Sequence, residues 1–265
     1  MTRRTAEVKK NSKIFNNPME AIIEIVFRDN AKEHNWYNFP VSYTVDTFKG
    51  LTPLVILLMM YLYREAPYNA LSNPVAWTYF GTHGSYGILW ASKNYFSFGD
   101  FNQKGSLIAH ILTVIILVVY WIPIYIICSS TTHAPVWVIG PSVLMYSFGV
   151  FWHFVADMQK TVFIELRAKM NKEFGESSTT GALGGNILRS KLWKHSRNPN
   201  YFGEMLIYGS FCMLSFHWLP CLLFGTIMLL LWRSLMEKKD KSLSRFGKEF
   251  DQYKASSSFF FPKFS

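Results

Sequence analysis

The sequence predicts an all-α polytopic membrane protein with about six transmembrane helices. Half of its 265 residues are hydrophobic, and they occur in uncharged blocks instead of being spread along the chain. Residues 107–127 and 134–156 contain no acidic residue, lysine or arginine. Each block has about the ~20 residues that a helix needs to cross ~30 Å of hydrocarbon. We therefore expect both blocks to span a membrane.

Further apolar stretches supply the other predicted spans. Residues 43–63 and 74–92 are diluted by glycine, threonine and histidine, but they are long enough to cross the membrane. Residues 201–232 are too long for one helix at ~1.5 Å per residue. Residues 216–220 (FHWLP) interrupt them near the middle, because proline disrupts a helix interior. We therefore expect the last two spans to form a tight helical hairpin.

These blocks divide the chain into three parts. Residues 1–42 are polar, with a short amphipathic helix predicted over residues 18–28, where apolar residues share one face. Residues 43–156 form the predicted four-helix membrane region. Residues 157–265 hold a charged helix, the hairpin and a basic tail. We expect this last part to be a cofactor-binding domain with a cytosolic tail.

The net charge of +10 is explained by the position of the basic residues. Of 27 lysines and arginines, eight precede residue 50, eight lie between residues 160 and 197, and eight follow residue 231. With six spans, these three segments fall on one side of the membrane, which is the positive-inside pattern. This distribution argues against a nucleic-acid partner and favours membrane lipids. We expect the endoplasmic reticulum membrane, with another organelle membrane as the alternative.

Residues 195–204 (HSRNPNYFGE) place many polar side chains at the start of the hairpin. Each polar group costs free energy in hydrocarbon unless it is paired, so a polar ligand is the natural partner. Phosphate or carboxylate oxygens suit the basic side chains of Lys194, His195 and Arg197. Hydrogen bonds that orient the ligand are expected from Asn198, Asn200, Tyr201 and Glu204. The alternative is a basic juxtamembrane cluster that binds anionic lipid.

Two more polar pairs are expected near this segment. Asp157 and Lys160 follow the fourth predicted span on the same side of the membrane. Arg233 and Glu237 are four residues apart at the end of the hairpin. Because an antiparallel hairpin returns its end to its beginning, this second pair should lie beside residues 195–204. It forms either part of a shared pocket or a solvated salt bridge.

The second predicted span carries His83 and Tyr86 among several glycines. A histidine inside a span usually faces the protein interior or a water-filled cavity, whereas glycines let another helix approach closely. Two interpretations of this span therefore remain: it lines a substrate cavity, or it is a face on which another helix packs. Cys128, Cys212 and Cys221 lie within or at the ends of apolar spans, without ligand-like spacing. We interpret them as packing residues and predict no metal site.

Residues 192–204 (LWKHSRNPNYFGE), the apolar hairpin after them and the F-x-x-P-K-F-like ending resemble the C-terminal domain of the steroid 5-alpha-reductases. The chain also resembles a branch of uncharacterised membrane relatives of these enzymes, over residues 75–265. Sterol C14 and delta-7 reductases and isoprenylcysteine carboxyl methyltransferase share the same C-terminal architecture. The resemblance implies a nucleotide pocket lined by Asp157, Lys160, Arg197, Asn198, Asn200, Tyr201, Glu204, Arg233, Glu237 and Tyr253.

The resemblance also implies a function. The pocket would hold NADPH, as in the reductases, and a hydride would pass to a C=C bond of a sterol, steroid, isoprenoid or enoyl lipid that enters from the bilayer. Tyr86 or His83 is the expected proton donor, because the second span lies near the cofactor in this architecture. Lys194 and Arg197 would bind the phosphates. One alternative is an S-adenosylmethionine-dependent methyltransferase of a lipid or prenylated substrate, and another is a non-catalytic subunit that retains the fold.

Overall fold

The structure is a computed structural model that describes residues 39–96 and 104–264. Within these ranges the chain is helical and has no β-strand. Several of its helices are long and apolar. The predicted all-α membrane fold is therefore confirmed. The amphipathic helix predicted over residues 18–28 lies outside the described residues.

The helices are numbered here in chain order. The first four are α1 (Val41–Leu62), α2 (Pro74–Tyr79 and Ser85–Phe96, joined by the π-helical turn Phe80–Gly84), α3 (Leu107–Ser129) and α4 (Val136–Phe174). The remaining ones are α5 (Glu176–Leu183), α6 (Leu192–His195), α7 (Pro199–Ser215), α8 (Trp218–Phe246) and α9 (Lys248–Ser256).

Four helices of the described chain are long and apolar enough to cross a membrane: α1, α3, α4 and α8. They match the predicted spans at 43–63, 107–127 and 134–156 and the second arm of the hairpin. Helices α2 and α7 occupy the other two predicted spans. Helix α7 has 17 residues, which is about 26 Å of helix and slightly less than the hydrocarbon thickness. The total of six spans stays a prediction.

The helical hairpin of α7 and α8 is confirmed, but its turn precedes Pro220. Helix α7 ends at Ser215, because the next residue, Phe216, has a left-handed conformation (φ 48°) that stops the helix. The ring of His217 then accepts a hydrogen bond from the backbone nitrogen of Leu219 (3.1 Å) and caps α8. Pro220 lies in the first turn of α8, where proline leaves no helical hydrogen bond unmade. A two-residue turn therefore separates the arms.

Helix α4 is one continuous element of 39 residues. The sequence predicted a span that ends at residue 156 and a separate charged helix after it, whereas the structure joins the two. At 1.5 Å per residue, α4 is about 58 Å long and exceeds the hydrocarbon thickness. The boundary predicted between residues 156 and 157 therefore lies within α4, which belongs to both parts.

Two close helix crossings bring polar residues together. Gly203 of α7 faces Gly149 of α4, and a methyl group on Gly203 would overlap the backbone nitrogen of His153. Gly87 of α2 faces the backbone carbonyl of Lys49 in α1, again without space for a methyl group. Small residues allow this approach, as is common between membrane helices. The side chains next to both crossings meet in the centre of the bundle.

Candidate functional site

A buried polar cluster lies where α1, α2, α3 and α7 meet. The Tyr86 hydroxyl donates a hydrogen bond to Glu204 Oε1 (3.2 Å). Lys49 Nζ donates to the hydroxyls of Tyr86 (3.3 Å) and Tyr208 (3.4 Å). The Tyr208 hydroxyl donates to that of Tyr120 (2.9 Å). We refer to Lys49, Tyr86, Tyr120, Glu204 and Tyr208 as the central cluster.

The central cluster holds one cation and one anion in an apolar setting. Lys49 is 5% exposed and Glu204 is 8% exposed. The Lys49 ammonium also lies 3.2 Å from the ring centroid of Trp90, which is a cation–π contact. Tyr86 has its hydroxyl between the ammonium, which donates to it, and the carboxylate, which accepts from it. That hydroxyl can therefore give up a proton and regain one.

His83, the other predicted proton donor, is placed differently. It is buried, and its Nδ1 atom shares a hydrogen bond with the Tyr79 hydroxyl (2.8 Å). Its ring stacks on Phe211, with 4.3 Å between the ring centroids. Only Tyr86 of the two predicted donors bonds directly to the charged groups of the central cluster.

A second polar chain links α2, α4 and α7 closer to the basic end of the bundle. Lys93 Nζ is 2.6 Å from Asp157 Oδ2, and His153 Nε2 is 3.5 Å from the same oxygen. His153 Nδ1 lies 3.2 Å from the backbone oxygen of Asn200. The ring of His153 stacks on Trp90, which also contacts Lys49. Asp157 is therefore part of a salt bridge that adjoins the central cluster.

Arg197 is held by the protein itself. Its Nε atom is 3.0 Å from Asp240 Oδ2 in α8, and one terminal nitrogen donates to the backbone oxygen of Ser257 (3.0 Å). The guanidinium side chain is 5% exposed. In α8, Lys239 also donates a hydrogen bond to the backbone oxygen of Arg197. Arg197 thus joins α7 to α8 and to the segment after α9.

Neighbouring predicted site residues contact the same C-terminal segment. The Asn198 amide donates to the backbone oxygen of Phe259 (2.8 Å), and His195 Nδ1 lies 2.9 Å from the backbone oxygen of Lys263. The Tyr253 hydroxyl donates to the backbone oxygen of Trp193 (2.7 Å). Burial raises the pKa of Tyr253, so its hydroxyl remains a donor at neutral pH. These contacts fix the start of α7.

Arg233 and Glu237 form an exposed pair. Arg233 Nε lies 2.9 Å from Glu237 Oε1, and the side chains are 68% and 53% exposed. The preceding residue, Trp232, is buried and contacts the ring of Tyr201, with 5.5 Å between the centroids. The end of the hairpin therefore does return to its beginning. The pair itself has the geometry of a solvated salt bridge, and its membership of a ligand pocket stays a prediction.

Five buried side-chain oxygens have no hydrogen-bond partner in the described part of the chain. Asn171 Oδ1, near the end of α4, is one, and the other four are Oδ1 of Asp157, Asn198, Asn200 and Asp240. These four surround the start of α7, because Asp240 contacts Arg197 and Asp157 connects through His153 to Asn200. Each buried acceptor without a partner costs about 1–3 kcal/mol. A ligand that carries hydroxyl, amino or amide donors would satisfy them.

The donors near these acceptors suit a negatively charged group. Lys160 is half-buried and Lys194 is exposed. Helix α7 begins here, and backbone N–H groups at a helix N-terminus attract anions. The residues around the start of α7 therefore fit a nucleotide such as NADPH. They also fit S-adenosylmethionine, which shares the ribose hydroxyls and the adenine amine.

Sequence reasoning missed several members of the central cluster. Lys49 lies within the first predicted span, and a charged residue inside a span usually faces the protein interior. That signal was sufficient to identify it. Tyr208 follows Glu204 by four residues and so lies on the same helical face. Tyr120 has no comparable signal, because only the packing of α3 brings it to Tyr208.

Comparison with known proteins supplies a family. No curated protein and no solved structure matches the chain significantly. The family model described as "Protein of unknown function (DUF1295)" matches residues 93–257, which is more than half of the chain. The matched segment includes the start of α7 and Glu204, whereas Lys49 and Tyr86 precede it. The chain belongs to the DUF1295 family.

Proposed function

We propose that the protein is an NADPH-dependent membrane reductase that adds a hydride and a proton across a C=C bond of a lipophilic substrate. The observation that carries this proposal is the Tyr86 hydroxyl between Lys49 and Glu204. Reduction of an activated C=C bond needs a proton donor beside the substrate, whereas methyl transfer does not. We also propose the endoplasmic reticulum as its membrane, with another organelle membrane as the alternative.

The unsatisfied acceptors around the start of α7 would hold the cofactor. Asn198, Asn200 and Asp157 would accept hydrogen bonds from its hydroxyl and amide groups, and Lys160 and Lys194 would attract its phosphates. When bound, NADPH supplies the hydride. The Arg197 guanidinium bonds to Asp240, so we propose that it also keeps the start of α7 in position, and its expected phosphate contact stays a prediction.

The central cluster would supply the proton. In this proposal the Tyr86 hydroxyl turns from Glu204 to the substrate, its O–H bond breaks and its proton forms the new C–H or O–H bond of the product. Lys49 Nζ, which already donates to the Tyr86 oxygen, returns a proton to it. Glu204 accepts from the Tyr86 hydroxyl and orients it. Burial of the cluster excludes bulk water, so the proton comes from these side chains.

Methyl transfer from S-adenosylmethionine to a lipid or prenylated substrate is the second candidate. One observation favours it: the charge of the Arg197 guanidinium is already paired with Asp240, and S-adenosylmethionine has no phosphate that would need it. A non-catalytic membrane subunit is the third candidate, and it would bind neither cofactor.

Thermal unfolding of the detergent-purified protein with NADPH, with S-adenosylmethionine and without ligand distinguishes the three. A ligand at 100 times its dissociation constant adds about 2.7 kcal/mol to the stability of the folded state. We expect NADPH to raise the unfolding temperature. Stabilisation by S-adenosylmethionine alone would assign methyl transfer, and no stabilisation by either would contradict both enzyme proposals.

A pair of tyrosine variants tests the proton donor. With a panel of conjugated steroid, isoprenoid and enoyl lipids, NADPH oxidation should fall by about 10²–10⁴-fold in Tyr86→Phe, because general acids contribute that much. Tyr79→Phe is the matched control, since Tyr79 is also fully buried in α2 but bonds to His83. NADPH binding should persist in both variants. A loss of rate in the control alone would make His83 the donor.

A further inference from the structure

Two cysteine side chains meet across the turn of the helical hairpin. Cys212 lies four residues before the two-residue turn of Phe216 and His217, and Cys221 lies four residues after it. Because the two arms are antiparallel, this symmetry places both cysteines at the same depth, about 6 Å from the turn at 1.5 Å per residue. The Cys212 and Cys221 thiols share a hydrogen bond. The hairpin thus pairs two cysteines that their spacing in the sequence did not connect.

The two thiols differ in access. Cys212 is buried, whereas Cys221 is exposed. Both line the same apolar groove between α4, α7 and α8, so their side chains point to a common space. Cys221 also lies in the first turns of α8, and the positive end of a helix favours the reactive thiolate. A small reagent can therefore reach the pair through Cys221.

The hairpin turn lies at the end of α7 and α8 that is opposite to the basic residues. Helix α7 begins beside Arg197, and eight lysines and arginines follow residue 231. The positive-inside rule predicts that these ends face the cytosol and that the turn faces the other side. Trp218 is exposed at the turn, as is typical of a membrane–water interface. On the non-cytosolic side, as in the lumen of the endoplasmic reticulum, disulfides form and persist.

We infer that Cys212 and Cys221 form a disulfide on the non-cytosolic side of the membrane, by exchange with a small disulfide such as glutathione disulfide. The Cys221 thiolate attacks the glutathione disulfide, which releases one glutathione and leaves the other bound to Cys221. Cys212 then attacks the Cys221 sulfur and releases the second glutathione. Two cysteine S–H bonds are replaced by one S–S bond, and the two protons and two electrons leave with the two glutathiones.

This disulfide would stabilise the hairpin beside the central cluster. It closes a loop of ten residues, which lowers the conformational entropy of the unfolded chain. Tyr208 lies one helical turn before Cys212 and stacks on Phe224 of α8, with 5.2 Å between the ring centroids. The bond therefore holds the arms together next to the contact that positions Tyr208. It does not depend on the proposed reductase activity.

Differential alkylation of the full chain in membranes from eukaryotic cells tests the bond. N-ethylmaleimide in sodium dodecyl sulfate first blocks every free thiol, and iodoacetamide after reduction then marks the cysteines that were oxidised. We expect the maleimide on Cys128 and iodoacetamide on Cys212 and Cys221. Non-reducing digestion should give one linked peptide that contains both. Thermal unfolding of the purified wild type should fall by several degrees after reduction.

Two variants complete the test. In Cys221→Ala, which changes an exposed position, maleimide labelling of Cys212 should rise at least tenfold, and reduction should no longer change the unfolding temperature. Cys128→Ala is the matched control, and it should keep both the linked peptide and the response to reduction. Maleimide on both Cys212 and Cys221 of the wild type would overturn the inference. A linked peptide that joins Cys128 to either of them would do the same.

Discussion

The Arg197–Asp240 ion pair gives the sharpest test of how the start of α7 is held. Arg197 is 5% exposed, and its partner carboxylate is 16% exposed. Removal of one partner from a buried pair leaves the other charge unpaired, which costs about 3–5 kcal/mol. Arg197→Ala also removes the hydrogen bond to the Ser257 carbonyl (3.0 Å). We expect this variant to lose about 3–5 kcal/mol of its unfolding free energy.

An exposed ion pair of the same type is the control. Arg233 Nε lies 2.9 Å from Glu237, nearly the 3.0 Å of the buried pair, but the Arg233 side chain is 68% exposed. Such a pair contributes about 0.2–1 kcal/mol. Unfolding of Arg197→Ala and Arg233→Ala in detergent by urea should therefore differ severalfold in free energy. Equal values would refute the argument from burial.

The same measurement decides how a loss of NADPH binding is interpreted. If Arg197 binds a phosphate of NADPH, its contact contributes to ligand binding and little to packing. In that case Arg197→Ala should unfold like the wild type but bind NADPH weakly. If Arg197 instead serves mainly to pair with Asp240, the variant should lose unfolding free energy, and any loss of NADPH affinity should follow from that loss of stability. Combining Arg197→Met with Asp240→Leu should recover part of the stability, because an apolar pair often replaces a buried ion pair without loss.

Three further predictions concern packing, charge and topology. Gly203→Ala should destabilise the protein by about 1–3 kcal/mol or prevent folding, because the methyl group overlaps the backbone of α4; unchanged thermal unfolding would contradict this. Lys49→Met should lower the thermal stability, because it leaves the buried Glu204 carboxylate without a counter-charge. The molecules that remain folded should reduce lipids about 10²–10⁴-fold more slowly, and an unchanged rate of NADPH oxidation would exclude Lys49 from the proton path. Ser177→Cys and Ser256→Cys, both at exposed positions, should react with an impermeant maleimide from the same side of sealed vesicles. Labelling from opposite sides would disprove the six-span topology.

The fold was largely predictable because the sequence separates apolar from charged residues. The uncharged blocks identify α3 and the first part of α4, and the long apolar stretch after residue 200 identifies the hairpin. Local preferences did not identify every boundary. Pro220 suggested a break, but proline is tolerated in the first turn of a helix, and the turn is instead set by the left-handed Phe216. Nothing in the local sequence interrupts α4, so it continues beyond the membrane.

The site was less predictable because its contacts are distant in sequence. Arg197 was expected to face a phosphate, since a basic residue beside a polar motif suggests an anionic ligand. Its partner Asp240 is 43 residues away on the other arm of the hairpin, and only the fold brings them together. Lys49 and Tyr208 are 159 residues apart. Pairing across such distances depends on helix packing, which no spacing rule supplies.

Helix α7 connects three features of the bundle. Asn200, Glu204, Tyr208 and Cys212 follow one another at intervals of four residues, so they lie along one face of the helix. The face begins at the unsatisfied acceptors near the basic end, continues through the central cluster and ends at Cys212, which lines an apolar groove between α4, α7 and α8. These 12 residues correspond to about 18 Å. One helix face therefore places the start of α7, the central cluster and this groove in a line, an order that the proposed hydride and proton addition to a membrane lipid would use.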